Sequence, residues 1–461
     1  MDFETFSYVL AMLFAYPISF AWAYIPNQTL KHASGALAGM WLLQFIFGTE
    51  WLHSVVSTTT AYLIMHVCPA RHAPKAVFIF MLGYMSMCHC YRMYVDYLGW
   101  KTDFTGPQMI LTQKMTALAY NIYDGKFLHE EKDAPYKNER EKKRNERNYR
   151  SRDAKAVKGI PNLLQFLGFT FNFSNLLSGP SIEFRDYSDT VSGVAFTGAR
   201  AEHMIGSLSH VAAVFKLLGQ AITHIVFFQL VSPRFAVGML RTDQEIQSLP
   251  LLARVGWAWF ASAVTRHKYY FAWTMGEGAC VAAGFGYQGY EDKGGRFRGW
   301  RGVRAIDVIG FETATTTTAL SRCWNMGTQA WLERYVYIRT NSSLFATYAV
   351  SAFWHGFYPG YYLFFFCTAG LTHVERAIRS KADTYVSNDS LAYKVVSWLG
   401  VSFLANYFVL SFLLLDFNYG VQVWRSFHFW GHGVLAGLWV VALVLPKNKA
   451  SKTAAEGKKN Q

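Results

Sequence analysis

Apolar runs long enough to cross a lipid bilayer recur along almost the whole chain, and no other feature of the sequence limits its fold so severely. A membrane helix needs about 17–25 predominantly apolar residues. In lipid every backbone N–H and C=O must be satisfied internally, which leaves helices or a closed barrel. Candidate runs lie at about 6–25, 33–49, 51–68, 76–95, 105–122, 204–232, 251–265, 343–371, 391–415 and 428–446, with shorter or broken stretches at 162–180, 271–287 and 306–320. The expected fold class is therefore all-α: a polytopic integral membrane helical bundle of about nine to twelve transmembrane helices, forming one domain over residues 1–461. The first run follows Asp2 and Glu4, has no basic n-region and no small-residue cleavage site, and reads as a retained helix rather than a signal peptide. No tandem or inverted repeat is visible.

Charge is sparse and unevenly spread. Residues 126–158 hold 12 Lys/Arg and 7 Asp/Glu, and the tail 447–461 holds 5 Lys and 1 Glu. The other 413 residues carry 49 charges, about 12%, against about 25% in ordinary soluble proteins. Nine of the net fourteen positive charges sit in those two segments. This excludes an ordinary cytosolic enzyme, a disordered chain and a nucleic-acid binder with a basic surface built into its fold. Short Lys/Arg-rich loops stay cytosolic, so 126–158 reads as a charged cytosolic loop and 447–461 as a basic cytosolic tail. The run 137–158 is expected to be a solvated helical loop with mixed-sign pairs, the alternative being a partner- or lipid-docking segment. The terminal KKNQ resembles a dilysine retrieval signal, which places the protein in the endoplasmic reticulum membrane, multi-pass, with its C-terminus in the cytosol. The six cysteines show no CxxC or paired spacing, and Cys88-His89-Cys90 does not share one helix face, so no metal is expected. Four N-x-S/T sequons, at Asn27, Asn172, Asn341 and Asn388, carry little information without knowledge of their side of the membrane.

Ionisable side chains inside apolar runs are costly and therefore point to function. Between Arg339 and Glu375 there is no Asp, Glu, Lys or Arg, and near the centre stands His355, flanked by Trp354 and Gly356. In a soluble protein such a histidine is usually a satisfied core residue. Within a bilayer water is no longer its default partner, and Pro359 and Gly360 suggest a helix broken around a cavity, so both readings stand. A neutral imidazole, with its ordinary pKa near 6.5, suits a general base for a hydroxyl proton. In SRCWNMGTQAWLERYVYIR (321–339), Trp324, Trp331 and Tyr335 recur at i, i+7 and i+11 with Thr328 between them, while Asn325 and Gln329 lie on the adjoining face. This is an interfacial amphipathic helix, a site, or both. The carboxamide of Asn325 has the donors and acceptor to orient a hydroxyl or polarise a thioester carbonyl. His210, Lys216 and His224 line a cavity or belong to a tilted helix with a snorkelling lysine. Glu183 in SGPSIEFRDY is expected to pair locally with Arg185 and Asp186, and the glycines of 284–295 match no phosphate-loop spacing.

Together WNMGTQAWLERYVY (324–337) and FWHGFYPGYY (353–362) resemble the signature of the membrane-bound O-acyltransferases. In that family an Asn in the first motif and a His in the second form the active site, which by position are Asn325 and His355. DFTGPQMILTQKMTALAYNIYDG (103–125), NLLSGPSIEFRDY (175–187) and KYYFAWTMGEGACVAAGFGYQGY (268–290) with IDVIGFE (306–312) are similar to the lysophospholipid acyltransferase branch. The resemblance covers most of 100–370, with five motifs in order.

It implies a helical bundle around a central catalytic chamber and an acyl-CoA-dependent O-acyltransferase of phospholipid remodelling, acting on a lysophosphatidylcholine- or lysophosphatidylethanolamine-like acceptor. Other acceptors (lysophosphatidylinositol, a sterol, diacylglycerol) remain alternatives, and a transporter with an intramembrane His accounts for fewer of the motifs. His355 is expected as general base and Asn325 as its partner, with Trp324, Glu183, Trp331, Tyr335, Trp354 and Lys268 contacting substrate. Acyl-CoA is a co-substrate and no cofactor is implied. Because CoA is polyanionic, Arg322, Arg334, Arg339, Lys268 and Arg266 are the candidates for a basic mouth. The expected partners are the two substrates and membrane lipids, not nucleic acid.

Overall fold

Backbone groups satisfied within their own segment mean helices, and helices are what the chain forms. The computed structural model describes residues 3–99, 103–131, 138–291, 295–382, 387 and 389–446. The basic tail 447–461 with its KKNQ end, residues 132–137 of the charged segment, and Asn388 lie outside them. Among the described residues there is no strand, only an isolated antiparallel bridge between Tyr290 and Phe297.

Five helices open the chain: α1 (Phe3–Ala23), α2 (Gln28–Phe47), α3 (Leu52–Val67), α4 (Ala73–Val95) and α5 (Thr105–Glu131). The charged segment carries α6 (Glu139–Asp153), and α7 (Leu163–Thr170) and α8 (Phe184–Ser192) follow. Next come α9 (Leu208–Val231) and α10 (Leu251–Ala282), then the two motif helices α11 (Met326–Leu332) and α12 (Leu344–His355). The chain continues through α13 (Pro359–Ala382), α14 (Leu391–Leu414), α15 (Phe417–Ser426) and α16 (Trp430–Val444). Local sequence sets many of these boundaries. The side chains of Asn27, Ser343, Ser390 and Asp416 accept the first free N–H groups of α2, α12, α14 and α15. Helix α6, with almost no apolar face, is held by Asn138 at its cap, Glu139 and Glu141 in its first turn, and Arg150 and Arg152 in its last.

One boundary differs from the sequence reading, and one expected break is present. The stretches 251–265 and 271–287 belong mostly to one 32-residue helix, α10, because the intervening Arg266 and Lys268 do not interrupt backbone pairing. The run 343–371 is two helices, broken after His355 where Gly356 takes φ +112° and before Pro359.

By length and hydropathy alone, three described stretches suffice to cross a membrane: Thr5–Ala23, Ala201–Thr242 and Leu391–Leu414. The pair α15–α16, bent by 77°, makes a fourth if it forms one span. Other helices of spanning length fail that test for a physical reason. Helix α5 buries Gln108, Thr112, Gln113, Lys114, Thr116, Asn121 and Asp124, so its interior face is polar although its environment is not.

Contacts gather the chain into two units, each made from three stretches. The first comprises residues 1–227, 267–306 and 325–356, and the second 228–266, 307–324 and 357–461. In the first, an aromatic and aliphatic core around Trp22, Phe169, Phe173, Tyr187 and Phe285 is joined by a smaller cluster of Met85, Trp331, Tyr335 and Trp354. In the second, Leu371, Tyr407, Phe408, Trp424 and Phe427 form the core. There Arg266 holds Glu312 through Nε and Nη2 at 2.9 and 2.8 Å and donates to Asn406 at 2.6 Å.

The first unit also changes the reading of several polar residues. His210 is buried with both ring nitrogens occupied: Nε2 donates to the Val281 carbonyl at 2.7 Å, and Nδ1 accepts from Gly206 N–H at 3.0 Å. It is a structural histidine, not a cavity lining. His224 faces His267, with Nδ1 to Nδ1 at 3.2 Å, and Lys216 is exposed. Asn172, in one of the four sequons, is fully buried and caps a short helix. Lys114 is fully buried too, and donates to the Phe169 and Thr170 carbonyls (2.5 and 3.1 Å) and to Asn175 Oδ1 (3.2 Å), closing the end of α7.

The charged segment is not wholly solvated. Its C-terminal end packs within the first unit, where Arg152 donates to the fully buried Asp124 at 2.7 Å. Lys155 meets Asp186 at 2.6 Å, and Val157 N–H donates to the Asn121 carbonyl at 2.9 Å. A carboxylate inside the bundle needs a cation, and here the charged helix supplies one.

Candidate active site

His355 is the last residue of α12. Its Nδ1 lies 2.7 Å from the Ser351 carbonyl, one turn back on the same helix. A carbonyl only accepts, so Nδ1 carries the proton in the neutral ring and Nε2 holds the lone pair. Trp354 fixes the residue before it. Its indole N–H donates to the Met109 carbonyl of α5 at 3.1 Å, its ring meets the His355 ring edge-on at 4.8 Å, and its own carbonyl accepts from Nε2 of His89 on α4 at 3.2 Å. Beyond His355 a side chain on Gly356 would come 3.2 Å from the His89 ring, on a backbone with φ +112°. His89, part of the CHC sequence, thus braces the end of α12.

Asn325 is the N-cap of α11 and sits in the left-handed region (φ +39°, ψ +63°), where Asn is tolerated better than most residues. Its Oδ1 is 3.4 Å from Thr328 N–H, at the long limit of a cap hydrogen bond, so the cap holds the carboxamide only loosely. The backbone around it is fixed more firmly. Met326 N–H donates to the Ala305 carbonyl at 2.8 Å, and Ala305 N–H donates in turn to Oε2 of Glu277 on α10 at 3.0 Å. Glu277 is 3% exposed. On the other side of α11, Gln113 donates to Thr328 Oγ1 at 2.8 Å and the Trp331 indole donates to Thr116 Oγ1 at 2.9 Å, both partners being on α5. The Trp331 and Trp354 rings, 6.3 Å apart, pack α11 against α12. The Asn and His motifs are therefore both anchored on α5 within one unit.

The aromatic stripe only partly survives. Thr328, Trp331 and Tyr335 do share a face, and it is buried, with Thr328 and Trp331 bonded to α5. Trp324 precedes the cap and packs on Phe311 (4.8 Å between rings) in the second unit.

Glu183 does not pair locally. It forms an ion pair with Arg334 at 2.5 Å and accepts from Asn121 and Tyr335, both at 2.8 Å. Arg185 faces Asp189 instead, and Asp186 faces Lys155. A parallel pair joins Arg339 to Asp124. These contacts fasten the segment after α11 to α5 and α8 through charge. Three of the five cations expected at a CoA mouth (Arg266, Arg334, Arg339) are thereby engaged by carboxylates. Lys268 lies on α10 with its ammonium 5.1 Å from the Tyr269 ring, and Arg322 is exposed in the second unit. Close backbone contact joins the motifs themselves: a Cβ on Gly276 would lie 2.4 Å from Gly179 Cα, so the GEG and SGPSIE segments touch where only glycine fits.

Sequence reasoning missed Glu277, His89 and Asp124. The rule that singled out His355, an ionisable group within an apolar run, applies equally to Glu277 in AWTMGEGACVAA.

Against known proteins, residues 89–414 match the sequence profile of MBOAT, the membrane-bound O-acyltransferase family. The chain is 32% identical over 445 residues to membrane-bound glycerophospholipid O-acyltransferase 2 of Rattus norvegicus, covering 92% of this chain and 80% of that one. It is 30% identical to the protein of that name in Homo sapiens (92% and 81% covered) and 28% identical to the lysophospholipid acyltransferase of Saccharomyces cerevisiae (95% and 73%).

Proposed function

The chain belongs to the membrane-bound O-acyltransferase family, a family of multi-pass membrane enzymes, and on that premise we propose that it transfers an acyl chain from acyl-CoA to the free hydroxyl of a lysophospholipid. The acceptor class is supported by the relatives named for glycerophospholipid and lysophospholipid acylation and by the five motifs in order. Within that class we expect a choline or ethanolamine headgroup.

The observation that carries the mechanism is the hydrogen bond from His355 Nδ1 to the Ser351 carbonyl, which leaves Nε2 as the basic nitrogen. In the proposed step Nε2 takes the proton of the glycerol hydroxyl as its oxygen attacks the thioester carbonyl. The tetrahedral intermediate collapses with cleavage of the C–S bond, and the departing thiolate recovers the proton from the imidazolium. The products are a diacyl phospholipid and CoA, with no acyl-enzyme. Asn325, loosely capped and held by its backbone, is suited to hold the hydroxyl or the carbonyl oxygen with its carboxamide. Trp331 and Trp354 pack α11 against α12, and Glu183, with Tyr335 and Arg334, fastens the segment that follows α11. The whole chain acts as one acyltransferase domain in this reading. The endoplasmic reticulum is the compartment we propose, with the charged segment on the cytosolic side, on the charge bias and the KKNQ sequence.

Detergent-purified protein is incubated with labelled oleoyl-CoA and, separately, lysophosphatidylcholine, lysophosphatidylethanolamine, lysophosphatidylinositol, a sterol or diacylglycerol. Labelled phospholipid should form with the lysolipids, and His355→Ala should lower the rate about 10²–10⁴-fold. Transfer to the sterol or diacylglycerol alone would overturn the acceptor assignment, and near-native rates in His355→Ala would overturn the role of the base.

A further inference from the structure

Helix α4 has one face that meets both motif helices. Phe78, Leu82, Met85 and His89 recur at i, i+4, i+7 and i+11, so they stand in one row along the helix. At one end of the row the Phe78 ring stacks on Trp331 of α11, with 6.3 Å between centroids and 16° between planes. Leu82 and Met85 belong to the buried cluster that contains both Trp331 and Trp354. At the other end His89 Nε2 donates to the Trp354 carbonyl of α12 at 3.2 Å. The row is apolar except for this last residue, which is 7% exposed. A buried histidine with its N–H satisfied is ordinarily a packing residue. What sets this one apart is the carbonyl it holds.

The last carbonyls of a helix have no partner within it. Helix α12 ends at His355, Gly356 turns the chain with φ +112°, and Pro359 brings no N–H. His89 answers the carbonyl of the residue directly before His355. A carbonyl only accepts, so Nε2 of His89 carries a proton whichever charge the ring has. Trp354 is held at its other end as well, through its indole N–H on the Met109 carbonyl of α5 at 3.1 Å. The two holding helices are themselves tied together. Arg92, nearly one turn beyond His89, pairs with Asp103 at 2.6 Å, and Asp103 accepts from Thr105 N–H at the start of α5 at 3.1 Å. On the far side of His355, Gly356 lies against the His89 ring, where a Cβ would come 3.2 Å from Cγ and 3.3 Å from Nδ1. One imidazole from another helix thus fixes the backbone on both sides of His355. The His355 ring depends on that backbone, because its Nδ1 must stay on the Ser351 carbonyl for Nε2 to serve as the base.

We propose that His89 is a positioning residue for acyl transfer: by holding the Trp354 carbonyl and the Gly356 turn, it aims the imidazole of His355. This rests on the reading of His355 as general base. The test is a double-variant cycle on purified full-length protein, with labelled oleoyl-CoA and whichever lysolipid of the panel above wild type acylates fastest. It compares wild type, His89→Leu, His89→Gln, His355→Ala and His89→Leu/His355→Ala. Glutamine keeps an N–H donor at the reach of Nε2, and leucine has none. In His89→Leu kcat should fall about 10–10²-fold with both KM values within about twofold of wild type, and His89→Gln should recover most of the loss. On the His355→Ala background His89→Leu should change the residual rate by less than about twofold, because a residue that acts through the base has nothing left to aim. A loss of the same size on both backgrounds would overturn the proposal, as would wild-type kcat in His89→Leu. Should His89→Leu not fold, His89→Asn, whose amide falls short of the Trp354 carbonyl, replaces it, and equal rates in the asparagine and glutamine variants would overturn the proposal. The two levels separate at His355→Ala. Near-native transfer there would defeat the base and the positioning role with it, whereas a slow His355→Ala beside a wild-type rate in His89→Leu would defeat the positioning role alone.

Discussion

Glu183 and Arg334 lie 2.5 Å apart, 151 residues distant in sequence, and this ion pair ties the SIEFRDY segment to the turn of chain that leaves the Asn325 helix. Both side chains are mostly buried, at 13% and 15% exposure. Two roles for Glu183 are thus separable: a substrate contact, or a brace for α11. A brace predicts that Arg334→Ala, which leaves the carboxylate without its cation, costs about 3–5 kcal/mol of stability. Glu183→Gln keeps the oxygen that Tyr335 and Asn121 address and should cost less. Thermal unfolding in detergent would order them as wild type, Glu183→Gln, then Arg334→Ala, with lysolipid KM unchanged in Glu183→Gln. A raised KM at unaltered melting temperature would instead place Glu183 on the substrate.

At Asn325 the backbone and the carboxamide make distinct demands. The left-handed conformation suits glycine, and alanine there carries a strain of about 1 kcal/mol. Asn325→Gly should therefore melt close to wild type and Asn325→Ala below it. If the carboxamide orients a reacting oxygen, both should lose about 10²–10³ in kcat. Retained activity in the glycine variant would mean that Asn is present only for its backbone.

Glu277 reaches Asn325 through two hydrogen bonds and no side chain of its own in the site. Glu277→Gln preserves an acceptor oxygen for Ala305 N–H, whereas Glu277→Leu strands that buried donor, costing about 1–3 kcal/mol, and loosens Met326. Positioning errors of about 1 Å are worth up to about 10² in rate. Stopped-assay kinetics should show kcat falling in the leucine variant, with most of it restored in the glutamine variant. Equal loss in both would show that the charge, not the acceptor, is what matters.

Most of the helix pattern was legible because a bilayer enforces long apolar segments, and the ends of α1, α4, α9, α14 and α16 fall within a few residues of the apolar runs. The break after His355 was legible too, from Pro359 and Gly360. What periodicity does not encode is pairing across the chain. The sequence puts Arg185 and Asp186 beside Glu183, so local pairing was the natural expectation, yet the helical turn that begins at Phe184 directs them elsewhere and leaves Glu183 to Arg334. His210 stayed open between a cavity lining and a place on a tilted helix because its partners, the backbone of Gly206 and Val281, have no signature. Trp324 fitted a helical stripe whose helix begins one residue beyond the Asn that follows it.

Segment 137–158 was read as a solvated loop by its composition, and its docking depends on a residue that composition hides among many arginines. Arg152 shares the fully buried Asp124 with Arg339, which follows the Asn325 helix, while Arg334 Nε approaches Ser151 Oγ at 3.4 Å. One carboxylate thus links the charged helix to the segment that follows Asn325. Removing Arg152 leaves Asp124 with Arg339 alone, so Arg152→Ala should free the end of α6 and weaken the anchorage of the chain after α11, whereas Arg147→Ala on the same helix should do neither. Limited proteolysis after the α6 arginines should be faster in Arg152→Ala, and the acyltransferase rate should fall several-fold, less than for Asn325→Ala because the reacting groups remain in place. Equal protease resistance in the two variants would mean that Arg339 suffices for Asp124 and that the charged helix is held by Lys155 and Val157 instead.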